Sequence, residues 1–332
     1  MKNLSLVIVS VFVFLCSCDS TVSPGSNSGR ILPNVTGGAG EVLVVMDKFA
    51  WESQSGESLQ NILKKEIPAL PQSEPLFDVS HITAASFDKL FRFHRSIVLV
   101  TINKTREEPV IRFRKDVWAK PQIVIQMEAG SNDEINQLIM DNERKIEIFL
   151  IQYDRQRLAD TYIATKDLEI QKLMSENHQI RLAIPRGYNI DISGENYSSV
   201  STETPDFSQV LHVFEFPAES ISDLSTENLL KKRNEFTKKY VKGPIENSFM
   251  KTAEIYPPVV YDLLINGKKI VEIRGLWELE KGYMGGPFVS HSVFDETRSR
   301  IVTVEGYVYF PNQKKRIKMR QLEAIIYTLQ VI

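Results

Sequence analysis

VVYDLLINGKKIVEIRGLWE, residues 259 to 278, carries two apolar-rich runs joined by Asn266-Gly267. A type I′ turn needs positive φ at both central positions, which Asn-Gly tolerates, so the stretch predicts a β-hairpin. Working outward, HQIRLAIPRGY (178–188) alternates through Ile180, Leu182 and Ile184 up to a Pro-x-Gly turn. QVLHVFEF (209–216), SFMKTAEIY (248–256), FVSHSVFD (288–295) and RIVTVEGYVYFP (300–311) read as further strands. One helix, capped near Ser225 and presenting Leu229, Leu230, Phe236 and Tyr240, interrupts the series before the Gly243-Pro244 stop. MRQLEAIIYTLQVI (319–332) ends the chain as another helix. Sequential strands joined by short turns, with packed helices, predict an α+β domain with an antiparallel sheet over 165–332.

Upstream the rhythm differs. EVLVVMD (41–47), SIVLVTI (96–102) and QIVIQMEA (122–129) are unbroken apolar runs of the kind found in strands buried on both faces, and LFDVSHI (76–82) alternates. Helices are expected between them, one capped by Ser55 with Leu59, Ile62 and Leu63, and a short one through Phe87, Leu90 and Phe91. Ser131 and Glu134 form a capping box that starts a helix with an apolar face at Ile135, Leu138, Ile139, Ile146, Phe149 and Tyr153. Its pattern continues, with breaks, to about Met174. The prediction is an α/β N-terminal domain, 41–164, ending in a long helix.

The first residues read as an address. Lys2 precedes a run from Leu4 to Leu15 that is almost wholly apolar, followed by Cys16-Ser17-Cys18, so 1–17 is expected to be a signal peptide. A membrane-crossing helix needs about 20 apolar residues, and this run falls short. Leu15-Cys16-Ser17-Cys18 resembles the bacterial lipobox, which implies cleavage before Cys18 and lipidation of its thiol; the plainer reading is an ordinary cleaved signal with two stray thiols. Residues 18–40, rich in Ser, Gly, Pro and Asn, are expected to be a flexible tether. The glycines of GGAG do not make a dinucleotide fingerprint, since Leu43 stands where the third Gly would fall.

Composition bounds the rest. The 332 residues contain 40 Lys and Arg against 42 Asp and Glu, a net charge of -2, so no nucleic-acid partner is expected. With Cys16 removed and Cys18 lipidated, no thiol remains for a disulfide, thiolate metal site or cysteine nucleophile. The histidines, at 81, 94, 178, 212 and 291, never fall at His-x-x-x-His spacing, and no G-x-S-x-G elbow occurs. No cofactor, metal or catalytic residue is assigned. His81 and His212 alternate with strand apolar residues and are expected to be packed or surface imidazoles.

PQSEPLF (71–77), FHRSI (93–97), DVWAKPQ (116–122), IPRGY (184–188), RGLWE (274–278), MGGPFVS (284–290) and RQLEAIIYT (320–328) together resemble a family of Bacteroidota envelope lipoproteins described only as a domain of unknown function. The likeness spans nearly the whole mature chain and departs at Ser96, where Asn is expected after His-Arg. It implies a location in the cell envelope and brings no activity, substrate or catalytic residue. The second half also resembles the PsbP and Mog1 type of sandwich, a likeness of fold alone.

Two surfaces are candidates for binding. Arg274, Trp277, Glu278, Tyr283, Gly285, Gly286, Pro287 and His291 gather aromatic and Arg anchors around a double glycine. The plainer reading makes Met284–Pro287 a hairpin connection and Trp277 and Phe288 core. The second candidate is His94, Arg95, Asp116, Trp118 and Lys120, beside strand ends, against helix capping and a surface ion pair. NQKKRIKMR (312–320) is expected to show its cations to water. The functional expectation is a lipid-anchored, non-enzymatic binding or assembly module, tied to the membrane on the periplasmic side of the outer membrane, with an envelope protein or glycan as partner. The alternative is a hydrolase cutting glycan or cell-wall material through carboxylates.

Overall fold

Asn266 and Gly267 have φ of 51° and 76°, and Ile265 pairs with Lys268 across them, so the hairpin forms as its turn chemistry dictates. The computed structural model describes residues 31–332; the signal peptide 1–17, Cys18 and the tether to residue 30 lie outside them.

In the first half, β1 (Glu41–Val45), α1 (Lys48–Trp51), α2 (Gln54–Leu63), β2 (Asp78–Ile82), β3 (Ser96–Ile102), β4 (Val110–Lys115) and β5 (Ile123–Ala129) precede α3 (Asn132–Asp141) and α4 (Glu143–Thr165). The sheet order is β2-β1-β3-β5-β4, parallel except where β4 runs antiparallel on β5. Val42, Val44 and Met46 face α2, α3 and α4 through Leu59, Ile135 and Ile146. Leu43, Val45 and Ile97 face the other way, under Phe87 and Trp118. Both faces are covered, which is why β1, β3 and β5 read as unbroken apolar runs. Each such fully buried Leu or Ile contributes about 1.5–3 kcal/mol. The capping box at Ser131 and Glu134 is present at the start of α3. The short helix expected through Phe87–Phe91 is not: the Asp88 carboxylate takes the amides of Leu90 and Phe91, a local turn that outcompetes helix and leaves only 3-10 turns at Ala84–Ser86 and Phe91–Phe93.

In the second half, α5 (Leu168–His178), β6 (Ile180–Arg181), β7 (Asn189–Ile192), β8 (Tyr197–Glu203), β9 (Ser208–Pro217), α6 (Thr226–Tyr240), β10 (Phe249–Thr252), β11 (Val259–Ile265), β12 (Lys268–Glu280), β13 (Gly285–Asp295) and β14 (Arg300–Tyr309) lead to α7 (Arg316–Ile326) and β15 (Gln330–Val331). The large sheet runs β10-β12-β13-β14-β9-β8-β7, with β11 also on β12, and every pairing is antiparallel. One face, with Val289, Val293, Val302 and Val304, packs against α7 and α5; the opposite face, with Phe214, Ile273, Trp277 and Phe288, packs against α6. The expected α/β half followed by an α+β half is therefore present. Of HQIRLAIPRGY only Ile180 and Arg181 pair as strand, with β15, because the Ala183 amide goes instead to the Thr328 hydroxyl at 2.8 Å.

Residues 33–332 form one compact unit. Its first residues, expected to be free tether as far as 40, are tied down: the amides of Lys120, Thr36 and Arg95 reach Pro33, Phe93 and Thr36 carbonyls at 2.8–2.9 Å. Backbone hydrogen bonds hold this segment although its own apolar content is low.

Candidate functional site

The first predicted surface does not exist as a surface. On β12 and β13 alternate residues point to opposite faces, so Trp277 goes under α6 while Arg274 and His291 go under α7. Trp277 is 3% exposed, its indole N–H donating to the Val308 carbonyl, and His291 is fully buried. Gly286 and Pro287 are buried inside β13, and a Cβ at Gly286 would collide with the Val308 carbonyl oxygen, so the close approach there is the sheet's own backbone. Only Tyr283, fully exposed, and half-buried Glu278 and Gly285 remain outside. Trp277 and Phe288 are core, as the plainer reading had it.

The second candidate sits at the wrong end of its strands. His94 and Arg95 precede β3, and Asp116, Trp118 and Lys120 precede β5, whereas ligands of parallel sheets gather at the C-terminal strand ends. Each side chain has a structural task. The His94 ring meets the Ser96 carbonyl, Asp116 accepts from the Gln122 amide at 2.9 Å, and Trp118 packs edge-on against Phe87. Arg95 reaches toward Asp154 and the Lys120 amide holds Pro33. The remaining imidazoles are also spoken for: His81 stacks on Trp51 and meets the Met46 carbonyl, and His178 meets Ser198 and Glu215. Among the described residues no group of three His, Cys, Asp or Glu side chains is placed to hold a metal ion.

Of the cations of 312–320, Lys314 is exposed as expected and Lys318 half-buried, but Lys315, Arg316 and Arg320 are buried. Glu74, from the first half, accepts the amides of Lys315 and Arg316 at 2.6 and 3.1 Å and so caps α7 from a distance of 241 residues in sequence. Arg316 pairs with Asp78, and Arg320 with Asp154. α7 is wedged between the two halves, so both of its faces are covered.

The cavity that does open lies beside α4. It has a volume of about 970 Å³ and is walled by α4, by 181–183, by the tip of the 259–278 hairpin and by the chain end from Tyr327 to Gln330. Gln152, Arg155, Gln156 and Asp160 come from one face of α4, since they are spaced three, four and eight residues along it. Lys115, Lys166 and Arg181 bring the wall to four cations against a single carboxylate, Asp160. Carboxamides at Gln171, Asn266 and Gln330 complete the polar lining. The Arg155 guanidinium lies 3.3 Å over the Tyr327 ring and Lys115 lies 4.5 Å over that of Tyr153. Neither makes an ion pair with a carboxylate among the described residues, and a guanidinium lying over a ring keeps its in-plane N–H groups available for other partners.

Behind Tyr327 runs a buried network. Its hydroxyl donates to Glu272 Oε2 at 2.9 Å, His291 Nε2 donates to the same oxygen at 2.8 Å, and Arg274 bridges Glu272 and Glu323 at 2.7 and 2.6 Å. Burial alone would raise Glu272, but the Arg274 charge first, and then His291, hold it well below the usual carboxylate range. Burial pushes Tyr327 up and His291 down. Glu272 is thus an acceptor, His291 a neutral imidazole with its proton on Nε2, and Tyr327 a protonated phenol at neutral pH; none is poised to exchange a proton. The His291 Nδ1 lone pair is left buried and unpartnered. The network fixes Tyr327, and through the stack it fixes Arg155.

The same network is expected to weaken in acid. His291 is lowered from 6.5 and Glu272 from 4.5, so on acidification the unfolded chain takes up protons before the folded one does. Stability is expected to fall as pH drops below about 6.5 and more steeply below about 4.5, read from urea midpoints across that range.

Comparison with known proteins adds two family matches. No curated protein matches the chain. Similar solved structures include a point mutant of the protein Mog1 (10% identity, TM-score 0.30, covering 46% of this chain and 91% of its own) and the Saccharomyces cerevisiae Ran-binding protein Mog1p (10%, 0.32, 46% and 90%). A Bacteroides thetaiotaomicron protein is also similar, at 12% identity and TM-score 0.26, covering 46% of this chain and 45% of its own. Residues 35–162 match the family model described as domain of unknown function DUF8532, and residues 166–328 match domain of unknown function DUF4837, so two such domains stand side by side in this chain.

Proposed function

We propose that this protein is a lipid-anchored, non-enzymatic binding module of the bacterial envelope, of the Bacteroidota lipoprotein type, which takes its ligand in the cavity beside α4. The observation that carries the reading is the contrast in that cavity: lining cations without carboxylate partners among the described residues in front, and a buried Tyr327–Glu272–His291 hydrogen-bond network behind. Such a wall holds charge and donates hydrogen bonds but has no acid and base set for proton transfer. A carboxylate-pair hydrolase finds less support, because Asp160 is the single carboxylate of the lining and its Oδ1 accepts from Gln156 at 2.7 Å. Cys18 is the anchor, fifteen positions before Pro33, whose carbonyl accepts the Lys120 amide of the body. The body faces the periplasm from the outer membrane.

The reading is tested by an amide NMR screen of the mature chain against soluble envelope components: peptidoglycan fragments, lipopolysaccharide and surface glycans. Shifts at Gln152, Gln156 and Asn266 are expected; shifts confined to the region of Tyr283, or none, remove the cavity from consideration. The anchor has its own check, since Cys18→Ala is expected to lose incorporation of labelled palmitate and to leave the membrane fraction.

A further inference from the structure

The chain is slightly acidic as a whole, at -2, so a cavity wall with Lys115, Arg155, Lys166 and Arg181 against Asp160 runs counter to the average surface. Clustering like charges costs free energy unless something of opposite sign visits them. We infer that the cavity beside α4 binds an acidic oligosaccharide, a sugar chain bearing carboxylate or phosphate groups, with Arg155 as the principal anion contact; this rests on the cavity being the ligand site.

Three features favour that class. Arg155 is pre-positioned on Tyr327, and a stacked guanidinium presents its edge as a planar fork matched to carboxylate or phosphate oxygens. The carboxamides of Gln152, Gln156 and Asn266 each offer a donor and an acceptor, which is what sugar hydroxyls, themselves both, require. The volume of about 970 Å³ accommodates several sugar units, whereas an acyl chain would leave those amides and cations unsatisfied. The net charge of the sequence conceals this, because the four cations are scattered among carboxylates between residues 115 and 181.

The test is calorimetric titration of the full mature chain in detergent with hexagalacturonate, its neutral methyl ester, cellohexaose and hexaglutamate, with chemical shifts at Gln156 and Asn266 locating each binding event. Hexagalacturonate is expected to bind in the cavity, at least ten-fold more tightly than its ester, and to weaken as salt rises. Arg155→Gln is expected to cost at least ten-fold and Arg155→Lys less; Lys115→Gln, away from the buried network, is expected to weaken binding several-fold with an unchanged urea midpoint. If ester or cellohexaose binds in the cavity as tightly as the acid, the anionic inference is overturned while the cavity stands as a ligand site. If hexaglutamate binds best, the sugar assignment is overturned. If no probe perturbs the cavity, the inference fails together with the reading beneath it.

Discussion

Arg233→Met is expected to destabilise the protein by about 3–5 kcal/mol, enough to remove a large part of the stability of an ordinary domain. Arg233, on α6, is 2% exposed and grips Glu305, on β14, with two hydrogen bonds of 2.8 Å while its guanidinium lies 3.8 Å over the Phe288 ring. Glu305 is fully buried; burial alone would raise it, but Arg233 and then His212 hold it below its ordinary range. His212 Nε2 stands 3.1 Å from Glu305 yet poorly aligned for a hydrogen bond, so it cannot replace the guanidinium. The Met variant therefore strands a carboxylate in an apolar layer. Arg233→Met with Glu305→Met is expected to recover most of the loss, since well-packed apolar residues can replace a buried pair at little cost. Urea unfolding of the three proteins measures both effects, and a single-variant loss under about 1 kcal/mol would contradict the assignment.

Asp154→Asn is expected to cost a similar amount, about 3–5 kcal/mol, but at the seam between the halves. Asp154 is 3% exposed, and three guanidinium groups converge on it: Arg320 at 2.5 Å, Arg95 at 3.5 Å and Arg157 at 3.6 Å. It also accepts the Gly40 amide at 3.0 Å, which ends the segment tied down from Pro33. Burial first, and then the neighbouring Arg95, already lower Arg157 to about 10. Without the carboxylate these cations repel one another in a poorly solvated layer. Arg157→Leu in the Asn background is expected to return part of the loss by removing one cation. An Asn variant as stable as the parent would mean that the seam is held by packing alone.

Local chemistry was legible in the sequence. Asn266-Gly267 fixed its own turn, Ser131 and Glu134 their own cap, and the strands buried on both faces announced themselves by unbroken apolar runs. β4 went unread because VIRFRK is an edge strand with three cations, β7 because NIDI is a short edge strand with no buried residue, and β8 because its buried positions include Ser198, Ser199 and Ser201, small polar residues that pass for loop. The candidate surfaces failed for a related reason. Arg274, His291, Arg316 and Arg320 carry the residue types of a binding site, but their respective partners Glu323, Glu272, Asp78 and Asp154 come from other elements, so their neutralisation was invisible, although Glu272 also stands two residues from Arg274. The cavity was hidden symmetrically: Gln152, Arg155, Gln156 and Asp160 look like the solvated face of any helix until Tyr327 is folded beneath them.

The central claim, that the working surface is the α4 cavity and not the 274–291 region, is tested most directly by photo-crosslinking in living cells. Benzoylphenylalanine replaces Gln156 in one strain and Tyr283 in another, both exposed positions. A discrete adduct from position 156 that is suppressed by Arg155→Gln, with none from position 283, is the expected result. An adduct from 283 alone, or one from 156 indifferent to Arg155, would contradict the account.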